Sequence, residues 1–168
     1  MVMSLENIII ERANLTHVDG ILKLAEDNTA ERGGELTGAL VRDAVVATIQ
    51  MLPSVVAHSA GHIVGFLLTW ETTFSEHPCV RAMLRIYPGS PGAYVYGPVC
   101  VESSARGQGL AGSMFKHLGE LLPGREGILF IKASNEPSLR AHRKMGMRKT
   151  AEFTYEGAKF FVFAYNAL

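Results

Sequence analysis

The chain has 168 residues, 48% of them apolar and 19% charged, and its 16 Lys+Arg balance 16 Asp+Glu to a formal net charge of zero. Disordered chains are poor in apolar residues and rich in net charge, so disorder is excluded as the main description. A polybasic nucleic-acid or membrane-surface binder is excluded too, because its excess of Lys and Arg would show in the balance.

In chain order, the three isoleucines of Asn7–Ala13 predict a strand. Thr16, with Asp19 three residues on, predicts a capped helix whose stripe is Val18, Ile21, Leu22 and Ala25. Arg32-Gly33-Gly34 breaks it. A second helix is expected from about Thr37, with Leu40, Val41, Ala44, Val45, Thr48, Ile49 and Leu52 on one face, closed by Pro53. Val55–Ser59 and His62–Thr73 form strands joined through a tight Ala60-Gly61 turn. Phe74–Gly92 carries three prolines and is expected to be an irregular excursion with a short helix around Val80–Ile86. Ala93–Val101 is a strand and Gly109–Leu122 a helix stopped by Pro123-Gly124. Ile128–Ala133 is a buried-type strand, and Pro137–Met145 a short helix with Pro137 in its first turn and Gly146 at its end. Met147–Tyr155 and Lys159–Tyr165 are strands around Glu156-Gly157. The order predicts a mixed α/β sheet with helices on both faces, in one domain over residues 1–168.

Cys79 and Cys100 have no spacing suited to zinc and read as free thiols, so no metal is expected. The N-terminus has neither the basic region nor the apolar run of a secretion leader. No stretch approaches the ~20 apolar residues of a membrane span. The expectation is a soluble protein of the cytoplasm that engages neither nucleic acid nor membrane.

The chemistry lies in Val99-Cys100-Val101-Glu102-Ser103-Ser104-Ala105-Arg106-Gly107-Gln108-Gly109-Leu110-Ala111-Gly112. A strand runs through a glycine-bearing turn into an amphipathic helix, which gathers unpaired amides and the positive end of a helix dipole at one point. Glycines 107 and 109 let a ligand reach the main chain, and phosphate or pyrophosphate is the natural guest. On the pattern alone, an ordinary strand–turn–helix with a flexible turn fits equally well. The chain has no Gly-Lys-Ser/Thr of a Walker loop. Gly107-x-Gly109-x-x-Gly112 has the letters of a dinucleotide fingerprint but lies too late in the chain for one.

Arg106-Gly107-Gln108-Gly109-Leu110-Ala111 resembles the R/Q-x-x-G-x-G/A pyrophosphate loop of the GNAT superfamily of acyl-CoA-dependent N-acyltransferases. Val101 stands where that family has its V-x-P-x-x-R approach, with Ser103 in place of the proline. Asn135-x-x-Ser138-x-x-Ala141-His142-x-x-x-Gly146-Met147 is similar to the family's N-x-x-A-x-x-F-Y-x-x-x-G-F segment. The element order agrees over about Ile8 to Tyr165.

The resemblance implies a GNAT fold, with a mostly antiparallel central sheet flanked by helices. It implies transfer of an acetyl group from acetyl-CoA to an amine of a small molecule or peptide. Val99, Cys100 and Val101 would bind the pantetheine arm and polarise the thioester carbonyl. The amides of Arg106, Gly107, Gln108, Gly109, Leu110 and Ala111 would hold the pyrophosphate, and Asn135, Ser138 and His142 would contact the CoA arm. Asn135 reads equally as a helix cap.

Two departures stand out. His142 occupies the position of the family's proton-donating tyrosine, either as an imidazolium donor or as a surface histidine on a basic helix. The family's acidic base position falls at Gly97-Pro98, leaving Tyr94, Tyr96 and Glu71 as substitutes by location, of which Tyr96 is the catalytic candidate. Arg140, Arg143, Lys144, Arg148 and Lys149 either attract the phosphates of CoA or form a solvated face. The other reading is a GNAT-fold module that binds acyl-CoA without turnover. Dimers are common in the family, so a homodimer is among the expectations.

Overall fold

The structure is a computed structural model that describes residues 5–166 apart from 33, 35, 37 and 75. Among the described residues, seven strands and five α-helices follow one another along the chain. They are β1 (Ile9–Arg12), α1 (Val18–Asp27), α2 (Arg42–Met51), β2 (Val55–Ser59), β3 (His62–Glu71) and α3 (Pro78–Ile86). After them come β4 (Tyr94–Val101), α4 (Leu110–Leu121), β5 (Glu126–Lys132), α5 (Glu136–Lys144), β6 (Arg148–Tyr155) and β7 (Ala158–Asn166). The strands lie in the order β1-β2-β3-β4-β5-β7-β6 in one sheet. The pairs β1–β2, β2–β3, β5–β7 and β6–β7 are antiparallel. The β4–β5 pair is parallel, with the register Tyr94↔Gly127 and Val95↔Ile128.

Contacts divide the chain into two compact units, Met1–Thr69 with Gly97–Leu121 and Trp70–Tyr96 with Leu122–Leu168. Each is discontinuous in sequence and each strand at a division point runs straight through it. No linker or change of composition therefore marks the division.

In the first unit, Ile21 of α1, Val45 and Ile49 of α2, Val56 and Phe66 of the strands and Met114 and Leu118 of α4 are buried. The buried polar residues there are hydrogen-bonded, as the loss of water requires. The Thr48 hydroxyl donates to the Thr69 carbonyl, and the Thr69 amide donates to Ser54 Oγ at 3.0 Å. The turn before α1 differs from expectation. Asn14, not Thr16, is the cap: its Oδ1 accepts the Thr16 amide at 2.9 Å, and His17 Nδ1 accepts the Asn14 amide at 3.1 Å. A 3-10 turn over Leu15–His17 precedes the α-helix and moves the unpaired amides upstream. Helix α2 starts at Arg42, and the expected start at Thr37 lies outside the described residues.

In the second unit, α3 buries Cys79 and Met83 against Val95, Ile128, Phe153, Phe160 and Val162. The expected excursion thus contains a helix of nine residues. Pro78 sits in its first turn, where a missing amide costs nothing, and His77 Nδ1 accepts the Cys79 amide at 3.2 Å. Tyr94, Tyr96 and Tyr165 form a second buried group, with Tyr96 edge-on to Tyr165 at 5.9 Å between ring centroids.

Candidate active site

In the first unit, β4 leads through a 3-10 turn at Ser103–Ala105 into α4. The turn is anchored by the Glu102 amide, which donates to the Val64 carbonyl at 2.8 Å, and by Glu102 Oε1, 2.9 Å from His62 Nε2. The amides of Ala105 and Arg106 are engaged, on Glu102 O at 2.9 Å and on Ser103 O at 3.4 Å. Among the described residues, the next amide in this segment to find a main-chain acceptor is that of Ser113, on Gly109 O at 3.1 Å. The donors left for a ligand therefore begin at Gly107, which takes the Arg106 amide out of the expected set.

Gly107 and Gly109 have φ of +75° and +78°, the left-handed region that L side chains avoid. A Cβ at Gly107, Gly109 or Gly112 would meet no heavy atom within 4 Å, so open space lies over this run of amides. Unengaged N–H groups gathered at a helix N-terminus favour an anion. The Arg106 side chain is turned to the protein: Nε donates to the Val101 carbonyl at 3.0 Å, and a terminal nitrogen donates to Asn28 Oδ1. The Gln108 side chain reaches back to the Ser104 carbonyl at 3.4 Å. Leu110 is buried as the first core residue of α4, and Ala111 is half-buried beside it. Val99 and Val101 are half-buried, while Cys100 is buried and its thiol is pushed up to about 11, mainly by burial. The Cys100 side chain is therefore a neutral thiol.

In the second unit, Asn135 caps α5 by accepting the Ser138 amide at 3.3 Å. His142 Nδ1 lies 2.8 Å from the Ser138 carbonyl, which makes Nδ1 the protonated nitrogen, and 3.3 Å from Ser138 Oγ. His142 is 3% exposed and meets the Tyr96 ring edge-on at 5.6 Å. Its Nε2 is buried and has no hydrogen-bond partner among the described residues. Burial lowers the pKa of the ring against a smaller opposing effect of the Ser138 bond. The surface-histidine expectation is corrected, and a standing imidazolium donor is disfavoured, because a charge here has lost its water without gaining a carboxylate. Tyr96 is also 3% exposed, and burial raises its pKa so far that it stays a phenol.

The other substitutes have partners of their own. Glu71 pairs with Arg125 at 3.2 Å, and Tyr94 bonds the Tyr165 hydroxyl. Among the basic cluster, Arg148 reaches Glu126 at 3.5 Å, Lys149 bonds Glu152 at 2.9 Å, and the Arg143 guanidinium lies over the Phe163 ring at 5.9 Å.

Two residues escaped the sequence reading. Asn28, 8% exposed, receives Arg106 from 78 positions away. Glu126, 5% exposed, accepts the Tyr87 hydroxyl at 2.9 Å and the Ser90 amide at 2.8 Å. Neither belongs to a motif; the only signal was an acidic residue opening a buried strand.

The strand–turn–helix of β4 and α4 lies on a mixed sheet of this order, and comparison gives the family. The model of the acetyltransferase (GNAT) family matches residues 41–147, more than half of the chain, and the chain belongs to that family. None of the curated protein sequences matches it. Among solved structures, yncA of Salmonella typhimurium, determined with its cofactor acetyl-CoA, is similar at 15% identity and a TM-score of 0.70, over 96% of this chain and 95% of that one. Ard1 from Thermoplasma volcanium is similar at 15% identity and 0.70, over 96% and 99%. The ribosomal-protein-S18-alanine N-acetyltransferase of Escherichia coli is similar at 12% identity and 0.68, over 95% and 94%. At these identities the likeness concerns the fold.

Proposed function

We propose that this family member transfers an acetyl group from acetyl-CoA to an amine of a small molecule or peptide. The observation that carries the reading is the run of unengaged amides over 107–112 under open space at the head of α4. A pyrophosphate there meets backbone donors and a helix dipole, so a protein of zero net charge can hold a polyanion without a basic patch. The main chain of Val99–Val101 takes the pantetheine arm, and one of its amides polarises the thioester carbonyl. Asn135 and Ser138 are assigned to the CoA arm through atoms not engaged in capping α5.

The acceptor amine arrives as an ammonium at neutral pH and first loses a proton. Its lone pair then attacks the thioester carbon, the C–N bond forms, and the C–S bond breaks as the tetrahedral oxyanion collapses. The attacking nitrogen gives up a second proton as the amide forms and the thiolate of CoA takes up one, so neutral amide and thiol leave. Tyr96 and His142 are closed off from solvent, so neither is the base that delivers the ammonium proton to water. Of the two, the Tyr96 phenol is the group assigned to the leaving thiolate, as a hydrogen-bond donor rather than a full acid, because burial disfavours its phenolate, and neutral His142, held by Ser138, packs edge-on against its ring.

Thiol release from acetyl-CoA across a panel of polyamines, amino acids, peptides and aminoglycosides tests the reading. Turnover with at least one amine is expected, and tight CoA binding with none overturns it. Tyr96→Phe is expected to lower kcat about tenfold or more while leaving CoA affinity unchanged; an unchanged kcat would leave Tyr96 a packing residue. The burial of both Tyr96 and His142 favours, as the second reading, an acyl-CoA-binding module without turnover.

A further inference from the structure

Asn28 ends α1 and joins three segments of the first unit. Its side-chain nitrogen donates to the Leu24 carbonyl at 2.8 Å, one turn back in the helix. Its Oδ1 accepts from the Arg106 guanidinium. Its own carbonyl accepts the Leu36 amide at 3.3 Å. Donor and acceptor complementarity fixes the amide orientation, since a flipped group would place an NH2 against a guanidinium and an oxygen against a carbonyl. Chain from the following turn lies on the same residue. The Gly34 amide donates to Thr29 O at 2.8 Å, and a Cβ at Gly34 would fall 1.8 Å from the Asn28 carbonyl oxygen. On the other side, Arg106 spans the gap between Asn28 Oδ1 and the Val101 carbonyl, the last residue of β4.

The Arg106 fork has two of its donor directions fixed on protein acceptors, so the side chain shapes the loop that follows it. A charge-assisted bond at a residue 8% exposed is a strong restraint on an otherwise glycine-rich segment. The same residue also accepts the Leu36 amide through its main-chain carbonyl, so one residue holds both Arg106 and Leu36.

We propose that Asn28 is a positioning residue for the 107–112 loop, and that it couples filling of that loop to protection of the Leu36 amide, which its main-chain carbonyl accepts. The inference rests on the reading of 107–112 as the pyrophosphate loop. Asn28 need not touch the cofactor for this role, because it acts through Arg106.

Two readouts test it, one of them independent of CoA. Trypsin cleaves after Arg106 only when that side chain leaves its partners. Cleavage at Arg106–Gly107 in cofactor-free protein is expected to be about tenfold faster in Asn28→Ala than in the wild type, and close to wild type in Asn28→Asp, which keeps an acceptor for Arg106. By titration calorimetry, CoA affinity is expected to fall about tenfold in Asn28→Ala and to recover in Asn28→Asp. CoA should also slow hydrogen exchange at the Leu36 amide in the wild type but not in Asn28→Ala.

Equal effects of both substitutions would overturn the proposal, because the residue would then act only through its bond to Leu24. Wild-type cleavage and affinity in Asn28→Ala would overturn it as well. If Asn28→Ala does not fold, Asn28→Asp and Arg106→Lys decide: the first is expected to resemble the wild type, and the second, which cannot bridge both acceptors, to be cleaved faster and bind more weakly. Absence of CoA binding by the wild type would sink the loop reading, whereas trypsin resistance would still report on the link.

Discussion

Replacing Gly109 by alanine separates the cost of a strained backbone from the loss of a ligand site. At φ of +78° an L side chain costs ~1–2 kcal/mol, with no steric addition because nothing lies within 4 Å of the new Cβ. For a chain of this length each kcal/mol moves Tm by about 2–4 °C, so a fall of about 2–8 °C is expected. Gly157, in the β6–β7 turn, has the same φ of +78° and equally open surroundings. Gly157→Ala should therefore lose the same stability and leave the anion site untouched.

The affinity effect is separate. A relaxed backbone at 109 turns the neighbouring amides away from the phosphate, and each charge-assisted bond is worth ~1.5–3 kcal/mol. Two such bonds lost at the low end give ~3 kcal/mol, a weakening of about 100-fold. Calorimetric titration of CoA into the three proteins, paired with thermal melts, measures both quantities. Equal melting losses with unchanged CoA affinity in Gly109→Ala would refute the placement of the pyrophosphate on this loop. Weakened binding in Gly157→Ala would refute the claim that the effect is local.

Glu126→Ala is expected to destabilise by ~3 kcal/mol, or about 6–12 °C in Tm, because the Tyr87 hydroxyl and the Ser90 amide lose a buried acceptor. A change below 2 °C, roughly what one surface group would give, would remove Glu126 as the anchor of the turn after α3. Burial lowers the pKa of His17 and of His142, so the unfolded chain binds more protons than the folded one as pH falls below about 6.5. The stability these neutral rings contribute is fully present above that pH and is lost below it; Tm should drop between pH 7 and 5, and a flat profile would contradict the burial argument. Glu11, His17 and His58 bring one ligand atom each to within 4.8 Å of one another, yet His17 Nδ1 accepts the Asn14 amide and so leaves its proton on Nε2, facing Glu11. Millimolar zinc is accordingly expected to leave Tm unchanged, and a clear rise would show that the Asn14 bond yields to a metal.

Much of the fold was legible because its determinants are local. The Ala60-Gly61 and Glu156-Gly157 turns have positive φ at both residues, as two-residue hairpins demand. Helix α4 and the glycines before it also lay where periodicity and turn chemistry placed them. The helix in the Phe74–Gly92 excursion was legible only as a short piece, since its prolines obscured a start that Pro78 in fact favours.

The chain's balanced charge, its strand–turn–helix loop and its spacing of glycines follow from the sequence by itself, because they depend on composition and on backbone preferences within a few residues. Tertiary structure alone decided that His142 is buried. A helix carrying Arg140, Arg143 and Lys144 reads as solvated, and only packing from elsewhere in the chain, the Tyr96 ring of β4 included, removes the water that would charge it. It also decided the partners of Arg106 and Glu126, which lie 78 and 39 positions away along the chain. A polar side chain's type states what it can bond, but which group meets it depends on elements that arrive from elsewhere in the fold, and that is not written in its neighbours.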